Sequence, residues 1–398
     1  MRRGYDAILT DHLANHRQMA FVSGPRQAGK TTACKQVAPA PAYLNWDDLD
    51  HRRIILAGPD AIAAHAGADR VRDKPPVVLL DEIQKHARWK GLLKGLFDTW
   101  EGRLRVLVTG SSRLDVYRRG GDSLMGRYFL YHLHPLSVAE VIDPSLPTTP
   151  TRPPRELAEV EWNALWEHGG FPEPFLRRDP AFSLRWRQLR RQQLLREDLR
   201  DLTRVAEIDR LHALADILAE RSGNQTTLSG LANVIHVAVD TVRRWLPLLE
   251  SLHHCFVLPP YSARIANAIR KEPKVYFWDW SDVEEPGWRF ETMVAMHLLK
   301  AVDCWTDLGM GVFRLFYVRD KQQREVDFLV TRNQKPWFLV EAKIGDASLS
   351  PALAYYHRKL GTAHAFQVVK DLPYVAADCF ERRDPVVVAA RTLLAQLC

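Results

Sequence analysis

The chain has few cysteines, no long apolar run and no signal-peptide-like start. Its 398 residues include 5 cysteines, which are scattered and form no C-x-x-C pair. This spacing argues against a zinc ribbon or a disulfide framework and fits a reducing cytosol. Charged or polar residues interrupt every apolar stretch before it reaches membrane-spanning length. We therefore expect a cytoplasmic protein with no membrane partner.

The composition is that of a globular protein with more than one domain. Hydrophobic residues make up 46% and charged residues 26% of the chain, which is ordinary for a soluble protein. A chain of 398 residues is too long for one compact core. The formal net charge of +7 is compatible with a polyanionic partner but does not establish one.

The first third of the chain has the pattern of a parallel α/β sheet. Apolar runs typical of strands alternate with helical patterns up to about residue 142. Strands are predicted at 19–23, 77–81, 105–109 and 127–131. These runs are continuously apolar rather than alternating, which indicates strands buried on both faces.

The first predicted strand leads into a loop of the G-x-x-x-x-G-K-[ST] type. In this motif backbone N–H groups surround phosphate oxygens, the lysine reaches the β and γ phosphates, and the hydroxyl ligates Mg²⁺. Asp81 ends the next strand and is predicted to hold Mg²⁺ with Thr31, and Glu82 to orient the attacking water. A chance match is the alternative, which the order of loop and acidic strand makes remote. The residues predicted to bind ATP in the loop are Gly24, Pro25, Arg26, Gln27, Ala28, Gly29, Lys30, Thr31 and Thr32.

Two more residues extend the predicted nucleotide site. Ser111 follows the strand at 105–109, and either it or Ser112 is predicted to sense the γ-phosphate. Arg127 precedes the strand at 127–131, where ring-forming ATPases have an arginine that reaches a neighbour's nucleotide. This hypothesis predicts a homo-oligomer, such as a hexameric ring. An ordinary salt-bridged surface arginine accounts for Arg127 equally well.

Near the other end, an acid and a Glu-x-Lys motif lie on predicted strands. Glu341 and Lys343 are two residues apart, so their side chains project to one face, and a hairpin could bring Asp327 beside them. Asp327 and Glu341 are predicted to hold Mg²⁺ (or Mn²⁺) for phosphodiester cleavage, with Lys343 and the helical Glu291 completing the catalytic set. This set resembles the PD-(D/E)xK nuclease superfamily. A solvated edge strand, or a degenerate module that only binds DNA, would show the same pattern.

The middle of the chain suggests contacts with nucleic acid. Residues 227–235 and 238–249 resemble a helix-turn-helix whose second helix offers Thr241, Arg243 and Arg244 to DNA. The alternative is that this pair only packs the domain. The stretch 177–204 carries nine arginines against four acids, which predicts a phosphate-tracking surface or simply a solvated helix face.

The order of short motifs along the chain resembles one family closely. Together they look like the prokaryotic AAA-like ATPases whose C-terminal half is catalogued as a domain of unknown function, the 4143 family. After the K-V-Y-F-like strand that family generally has D-x-G-L, whereas this chain has D-W-S-D at 279–282. The motifs are G-P-R-Q-A-G-K-T-T (24–32), L-D-E-I-Q (80–84), T-G-S-S (109–112), G-R (126–127), H-P-L-S (134–137), G-G-F-P-E (169–173) and K-V-Y-F (274–277).

The resemblance covers nearly the whole chain and implies an α/β protein in four parts. These are an AAA-type P-loop ATPase domain (1–142), a linker and basic helical region (143–205), a winged-helix-like domain (206–280) and a restriction-endonuclease-like PD-(D/E)xK module (281–398). We expect an ATP-dependent enzyme that cuts structured DNA, such as a branched junction. The alternative is an ATP-dependent switch that binds DNA or protein and has a silent nuclease fold.

Overall fold

The computed structural model of the chain describes residues 1–38, 41–110, 124–194, 208–220, 222–223, 227–262 and 272–398. The protein divides into two compact units. The first contains residues 1–134 and 144–146, and the second contains 135–143 and 147–398. The division into four parts made from the sequence stays a prediction.

The first unit contains a five-stranded sheet in which every pair of neighbours is parallel. The strand order is β2-β3-β4-β1-β5, so the carboxyl ends of β3, β4 and β1 lie side by side. This confirms the predicted parallel sheet, although β2 was not predicted. The strands are β1 (Met19–Ser23), β2 (Ala42–Asn45), β3 (Val77–Asp81), β4 (Arg105–Thr109) and β5 (Tyr128–His132).

The helices of this unit pack their apolar sides on the sheet. In the last of them the buried residues Trp89, Leu93, Leu96 and Phe97 follow the helical repeat and join the core. The helices are α1 (Gly4–Asn15), α2 (Lys30–Val37), α3 (Leu49–Leu56), α4 (Pro59–Ala66) and α5 (Trp89–Trp100).

The second unit begins with helices and one hairpin. The predicted helix pair is present as α11 and α12, and the antiparallel strands β6 (Cys255–Leu258) and β7 (Lys274–Phe277) follow it. The winged-helix assignment of this region stays a prediction. The helices are α6 (Val138–Ile142), α7 (Glu159–His168), α8 (Pro172–Arg177), α9 (Pro180–Gln192), α10 (Ile208–Glu220), α11 (Leu228–Val234) and α12 (Val239–Ser251).

The second unit ends in a mixed five-stranded sheet of order β12-β11-β10-β9-β8. Its β8, β9 and β10 pair antiparallel, and β10, β11 and β12 pair parallel. Neither its long helix α13 nor any other described helix is long and apolar enough to cross a membrane. The elements are α13 (Pro286–Asp307), β8 (Phe313–Arg319), β9 (Glu325–Arg332), β10 (Lys335–Lys343), α14 (Pro351–Leu360), β11 (His364–Val369), β12 (Val386–Ala389) and α15 (Ala390–Ala395).

One disulfide bond was not predicted from the cysteine spacing, which argued only against a disulfide framework. Cys304 of α13 and Cys398 form this bond between positions 94 residues apart. Sequence spacing did not reveal this pair because only the folded chain brings α13 next to the C-terminal residues. Cys34, Cys255 and Cys379 are free and buried.

Gly24 is expected to tolerate no side chain. A Cβ there would lie 2.2 Å from the carbonyl oxygen of Leu133, and its φ of +147° is unfavourable for other residues. We expect Gly24→Ala to lower the free energy of unfolding by more than about 1 kcal/mol. Chemical denaturation of the two proteins measures this.

The matched control is Gly91→Ala, because Gly91 lies in α5 with nothing within 4 Å of the added Cβ. Alanine should stabilise that helix by up to about 1 kcal/mol. Equal effects of the two substitutions would contradict the assigned constraint on Gly24.

Candidate functional site

The glycine-rich loop joins β1 to α2. Residues 24–29 form the turn, and Lys30, Thr31 and Thr32 begin the helix after Gly29, whose φ is +94°. The Lys30 ammonium group donates to the carbonyl oxygens of Gly24 (2.9 Å) and Pro25 (2.8 Å). The loop backbone and its lysine are therefore adjacent at a helix N-terminus, the arrangement that favours phosphate binding.

Asp81 lies beside this loop and is held by three hydroxyl groups. Thr31 Oγ1 and the Tyr43 hydroxyl each donate to Asp81 Oδ2 at 3.0 Å, and Thr109 Oγ1 donates to Oδ1 at 2.7 Å. The donors come from α2, β2 and β4. The predicted partners Thr31 and Asp81 are thus in direct contact, whereas the contribution of Tyr43 was not predicted.

Glu82 follows Asp81 in an unusual backbone conformation, with a φ of +55°. Gln84 Nε2 donates to its Oε2 at 2.9 Å. Burial raises the pKa of the Glu82 carboxyl above its ordinary value, as suits a group that exchanges protons with water. This contact of Gln84 with Glu82 was not predicted from the sequence.

Arg3 is a second residue that the sequence analysis missed. It is buried, and its guanidinium donates to the carbonyl oxygens of Ala28 and His134, both at 2.6 Å. The side chain therefore fixes the glycine-rich loop to the segment that follows β5. Only its position next to the start of α1 could have been seen in the sequence.

The two residues predicted to extend the nucleotide site have different outcomes. Ser111, like Ser112, lies outside the described residues. Arg127 forms two hydrogen bonds to Asp98, at 2.7 and 3.0 Å. Because β5 runs parallel to β1 from Met19↔Tyr128 to Ser23↔His132, Arg127 lies at the sheet edge opposite the loop of its own chain.

The four residues of the predicted C-terminal site come together. Asp327 Oδ2 accepts a hydrogen bond from the Ala342 backbone N–H at 3.0 Å, next to Glu341. Glu341 Oε1 contacts the Lys343 ammonium at 2.9 Å. Glu291 approaches from α13 closely enough to share electrostatic interactions with Asp327 and Glu341. The register of β9 and β10 produces this arrangement.

Lys274, the first residue of β7, lies among these acids. Lys274 Nζ is 3.1 Å from Glu291 Oε1, 2.7 Å from Glu325 Oε1 and 3.2 Å from Asp327 Oδ1. Its side chain is 3% exposed. The C-terminal site is therefore a cluster of four carboxylates and two ammonium groups, rather than the three acids and one lysine predicted from the sequence.

The protonation of this cluster follows from its burial. Burial, reinforced by the charge of Asp327, raises the pKa of Glu291 to about 7 and that of Glu341 to about 8. Burial alone would lower the pKa of Lys274, but the surrounding negative groups raise it well above its ordinary value. The surrounding negative groups therefore favour the charged form of Lys274, and burial favours the protonated form of Glu341.

One position in the C-terminal cluster, between Asp327 and Glu341, suits a divalent ion. Among the described side chains, no three or more His, Cys, Asp or Glu residues are placed to share a metal ion. Mg²⁺ in proteins is often held by only one or two carboxylates, with water and phosphate completing the shell. Glu341 Oε2 is buried without a hydrogen-bond partner. Such an orphaned oxygen suits a cation held jointly by Glu341 and Asp327.

The residues predicted to contact DNA lie together on α12. Arg243 and Arg244 are exposed and Thr241 is half-buried. Arg243 pairs with Asp240, and Arg244 Nη2 donates to Thr241 Oγ1 at 3.4 Å. The opposite face of α12 is in the core, as expected if the helix also packs the domain.

The arginine-rich stretch is less available to phosphate than its sequence suggests. Arg178 pairs with Glu161, Arg187 with Asp282 and Arg191 with Asp216. Arg190 is buried with its guanidinium 4.1 Å from the centre of the Phe171 ring. Residues 195–204 of the stretch lie outside the described residues.

The parallel sheet, the glycine-rich loop and the Thr31–Asp81 pair define a P-loop ATPase. Residues 16–142 match the model of an AAA domain (AAA_14), so the first unit contains an AAA-type ATPase domain. Residues 159–281 match a domain of unknown function (DUF8612), and 286–372 match another (DUF4143). The last match confirms the resemblance to the 4143 family for that segment.

Relatives with similar sequences occur in bacteria and archaea. The chain is 27% identical over 359 residues to the uncharacterized protein Rv2008c of Mycobacterium tuberculosis, covering 87% of this chain and 76% of the relative. It is 23% identical over 296 residues to the uncharacterized protein MJ1637 of Methanocaldococcus jannaschii, covering 66% and 60%.

Similarity to solved structures is weak. The Aeropyrum pernix ORC1 protein, solved in complex with DNA, has a TM-score of 0.31 and 14% identity, with 73% of this chain and 90% of that one covered. A DNA polymerase III gamma subunit-related protein of Thermotoga maritima has a TM-score of 0.28 and 12% identity, with 62% and 97% covered.

Replacing Arg3 is expected to weaken ATP binding. Arg3→Met removes the donors to Ala28 and His134, so the glycine-rich loop loses its attachment. Each charged hydrogen bond is worth about 1.5–3 kcal/mol, and we expect the KM for ATP to rise on the order of tenfold. Steady-state ATPase kinetics measure it. Arg2→Met, at the exposed neighbouring position, is the control, and equal KM values for the two variants would contradict the assignment.

Proposed function

We propose that the first unit hydrolyses ATP by the following division of roles. Lys30 binds the β and γ phosphates, Thr31 and Asp81 hold Mg²⁺, and Glu82 orients the attacking water. The bound metal supplies positive charge that stabilises the phosphoryl transition state. The contact of Thr31 with Asp81 at 3.0 Å supports this assignment best.

The proposal for Glu82 rests on its surroundings. Its carboxylate is adjacent to Asp81 and is fixed by the Gln84 amide. Burial raises its pKa, which makes the carboxylate a stronger proton acceptor. The residues of the glycine-rich loop from Gly24 to Thr32 surround the phosphates, and all of them except Pro25, which has no N–H group, offer backbone donors.

Two substitutions test these roles. Lys30→Ala should abolish ATP hydrolysis by removing the phosphate contact. Glu82→Gln should lower kcat by roughly 10²–10⁴-fold while ATP binding persists, because only the proton acceptor is lost. Phosphate release and nucleotide binding are measured on both. Lys94→Ala, at an exposed position of α5, is the control. An ATPase rate for Lys30→Ala equal to that of wild type would refute the loop assignment.

For the C-terminal cluster we propose metal-dependent cleavage of DNA. Asp327 and Glu341 would hold Mg²⁺ or Mn²⁺, which when bound activates water and stabilises the phosphoryl transition state. Lys343, 2.9 Å from Glu341, would orient that water or neutralise developing charge. Glu291 would position the site from α13. The convergence of these four side chains supports the proposal.

The two activities together suggest ATP-dependent processing of structured DNA, including branched junctions. Thr241, Arg243 and Arg244 would contact the DNA from the outer face of α12. Arg127 would leave Asp98 and reach the nucleotide of a neighbouring chain in a homo-oligomer, such as a hexameric ring. An arginine acting in this way is worth roughly 10³–10⁵-fold in rate.

A second candidate function is an ATP-dependent switch that binds DNA or a protein and has a silent nuclease fold. The ammonium group of Lys274 favours it, because it already pairs with Asp327 and Glu291. This function predicts ATP-sensitive binding without DNA cleavage.

Cleavage assays separate the two candidates. Labelled forks, four-way junctions, duplexes and single strands are incubated with the full chain, ATP and Mg²⁺ or Mn²⁺. Under the nuclease proposal the wild type cuts at least one substrate, and Asp327→Asn and Lys343→Met lose at least about a hundredfold in rate. Arg314→Met, at an exposed position of β8, is the control. Binding without cleavage of any substrate would leave only the switch.

A further inference from the structure

Lys274 is placed as the protein's own cation within the C-terminal acidic cluster. Its ammonium group is within 3.2 Å of three carboxylates, those of Glu291, Glu325 and Asp327. Its side chain is 3% exposed. Three contacts converge on a single buried nitrogen, so the group is held by the cluster rather than lying on the surface.

The neighbouring side chains favour this position of the Lys274 ammonium group. The Tyr276 hydroxyl, two residues along β7, donates to Glu291 Oε1 at 2.6 Å and fixes the carboxylate that Lys274 contacts. The Tyr317 ring lies 5.9 Å from Nζ, within the range of a cation–π contact. Removing a buried lysine would leave buried carboxylates without their counter-charge, which is strongly unfavourable.

The contacts of Lys274 overlap with those of a divalent ion. Asp327 Oδ1 pairs with Lys274, and Oδ2 accepts the Ala342 N–H. Both oxygens of this ligand are therefore engaged, whereas Glu341 Oε2 has no partner. An ion bound by Asp327 would lie close to the ammonium group and be repelled by it.

We propose that Lys274 is a resident cation that competes with the divalent metal for Asp327 and so sets the metal affinity of the cluster. This inference rests on the metal site under the proposed function. In the absence of metal, Lys274 compensates the carboxylates. Metal binding requires it to give up its contact with Asp327.

Metal binding tests the proposal without reference to catalysis. Mn²⁺ affinity is measured by electron paramagnetic resonance on the nucleotide-free full chain, with Mg²⁺ as competitor. Because a unit charge near the ion is removed, Lys274→Met should bind Mn²⁺ at least about tenfold more tightly than wild type. Adding Asp327→Asn to this variant should abolish the gain and thereby locate it. An unchanged or weaker affinity for Lys274→Met would overturn the proposal.

Lys300→Met is the matched control. Lys300 is another buried lysine of the same unit, and it pairs with Glu140 and donates to the Pro135 carbonyl at 2.9 Å. Its loss should destabilise the protein as well but leave the Mn²⁺ affinity unchanged. Thermal unfolding in EDTA and in MnCl₂ provides a second readout. MnCl₂ should raise the melting temperature of Lys274→Met more than that of wild type or Lys300→Met.

A charge-balanced variant keeps the test valid if Lys274→Met does not fold. Lys274→Met combined with Glu325→Gln removes one charge of each sign, and its Mn²⁺ affinity is compared with that of Glu325→Gln alone. Tighter binding by the double variant supports the competition, and equal binding overturns it.

The outcomes also separate this inference from the nuclease proposal. Tighter Mn²⁺ binding by Lys274→Met without DNA cleavage by any variant would support the competition and refute the nuclease. Cleavage by wild type together with unchanged Mn²⁺ affinity in Lys274→Met would support the nuclease and refute the competition.

Discussion

Charged side chains that are removed from water must find partners within the protein, and both candidate sites depend on how this requirement is met. The carboxylate of Asp81 accepts hydrogen bonds from the hydroxyl groups of Thr31, Tyr43 and Thr109. Hydroxyl donors hold a carboxylate in place but do not neutralise it, so Asp81 can still attract a metal ion. Asp327 instead faces the ammonium group of Lys274, which neutralises it directly. Two sites with similar acids therefore have different needs for an external cation.

Strand order and register bring the partners together in each unit. In the first unit β1 and β3 both border β4, so the glycine-rich loop and Asp81 meet at one edge of the sheet. In the second, antiparallel pairing of Val340 with Phe328 places Glu341 beside Asp327. The side-chain alternation of strands then directs Lys343 to the face of Glu341. The placement of the acids in both units follows from backbone pairing.

The same need for partners changes the interpretation of arginines that the sequence suggested would face solvent or bind DNA. The arginines of α9 read as a basic surface in the sequence, yet Arg187 and Arg191 pair with acids and Arg190 is buried against an aromatic ring. Arg127 is likewise engaged by Asp98. Net charge and runs of charged residues do not show which charged side chains lie next to one another. In the fold, many of these arginines form ion pairs with acids, which leaves less positive charge for a polyanionic partner.

Local sequence patterns were enough to predict four of the five strands of the first unit, the loop around Lys30 and the helix pair before β6. Each of these features depends on residues close together in the chain, where apolar periodicity and glycine have direct conformational consequences. Three long-range contacts became apparent only in the folded structure. They are those of Arg3 with Ala28 in the loop, of Lys274 with the acids of α13 and β9, and of Cys304 with Cys398. These contacts join residues far apart in the chain, and their geometry is fixed by strand register and helix packing, for which the sequence gives no local signal.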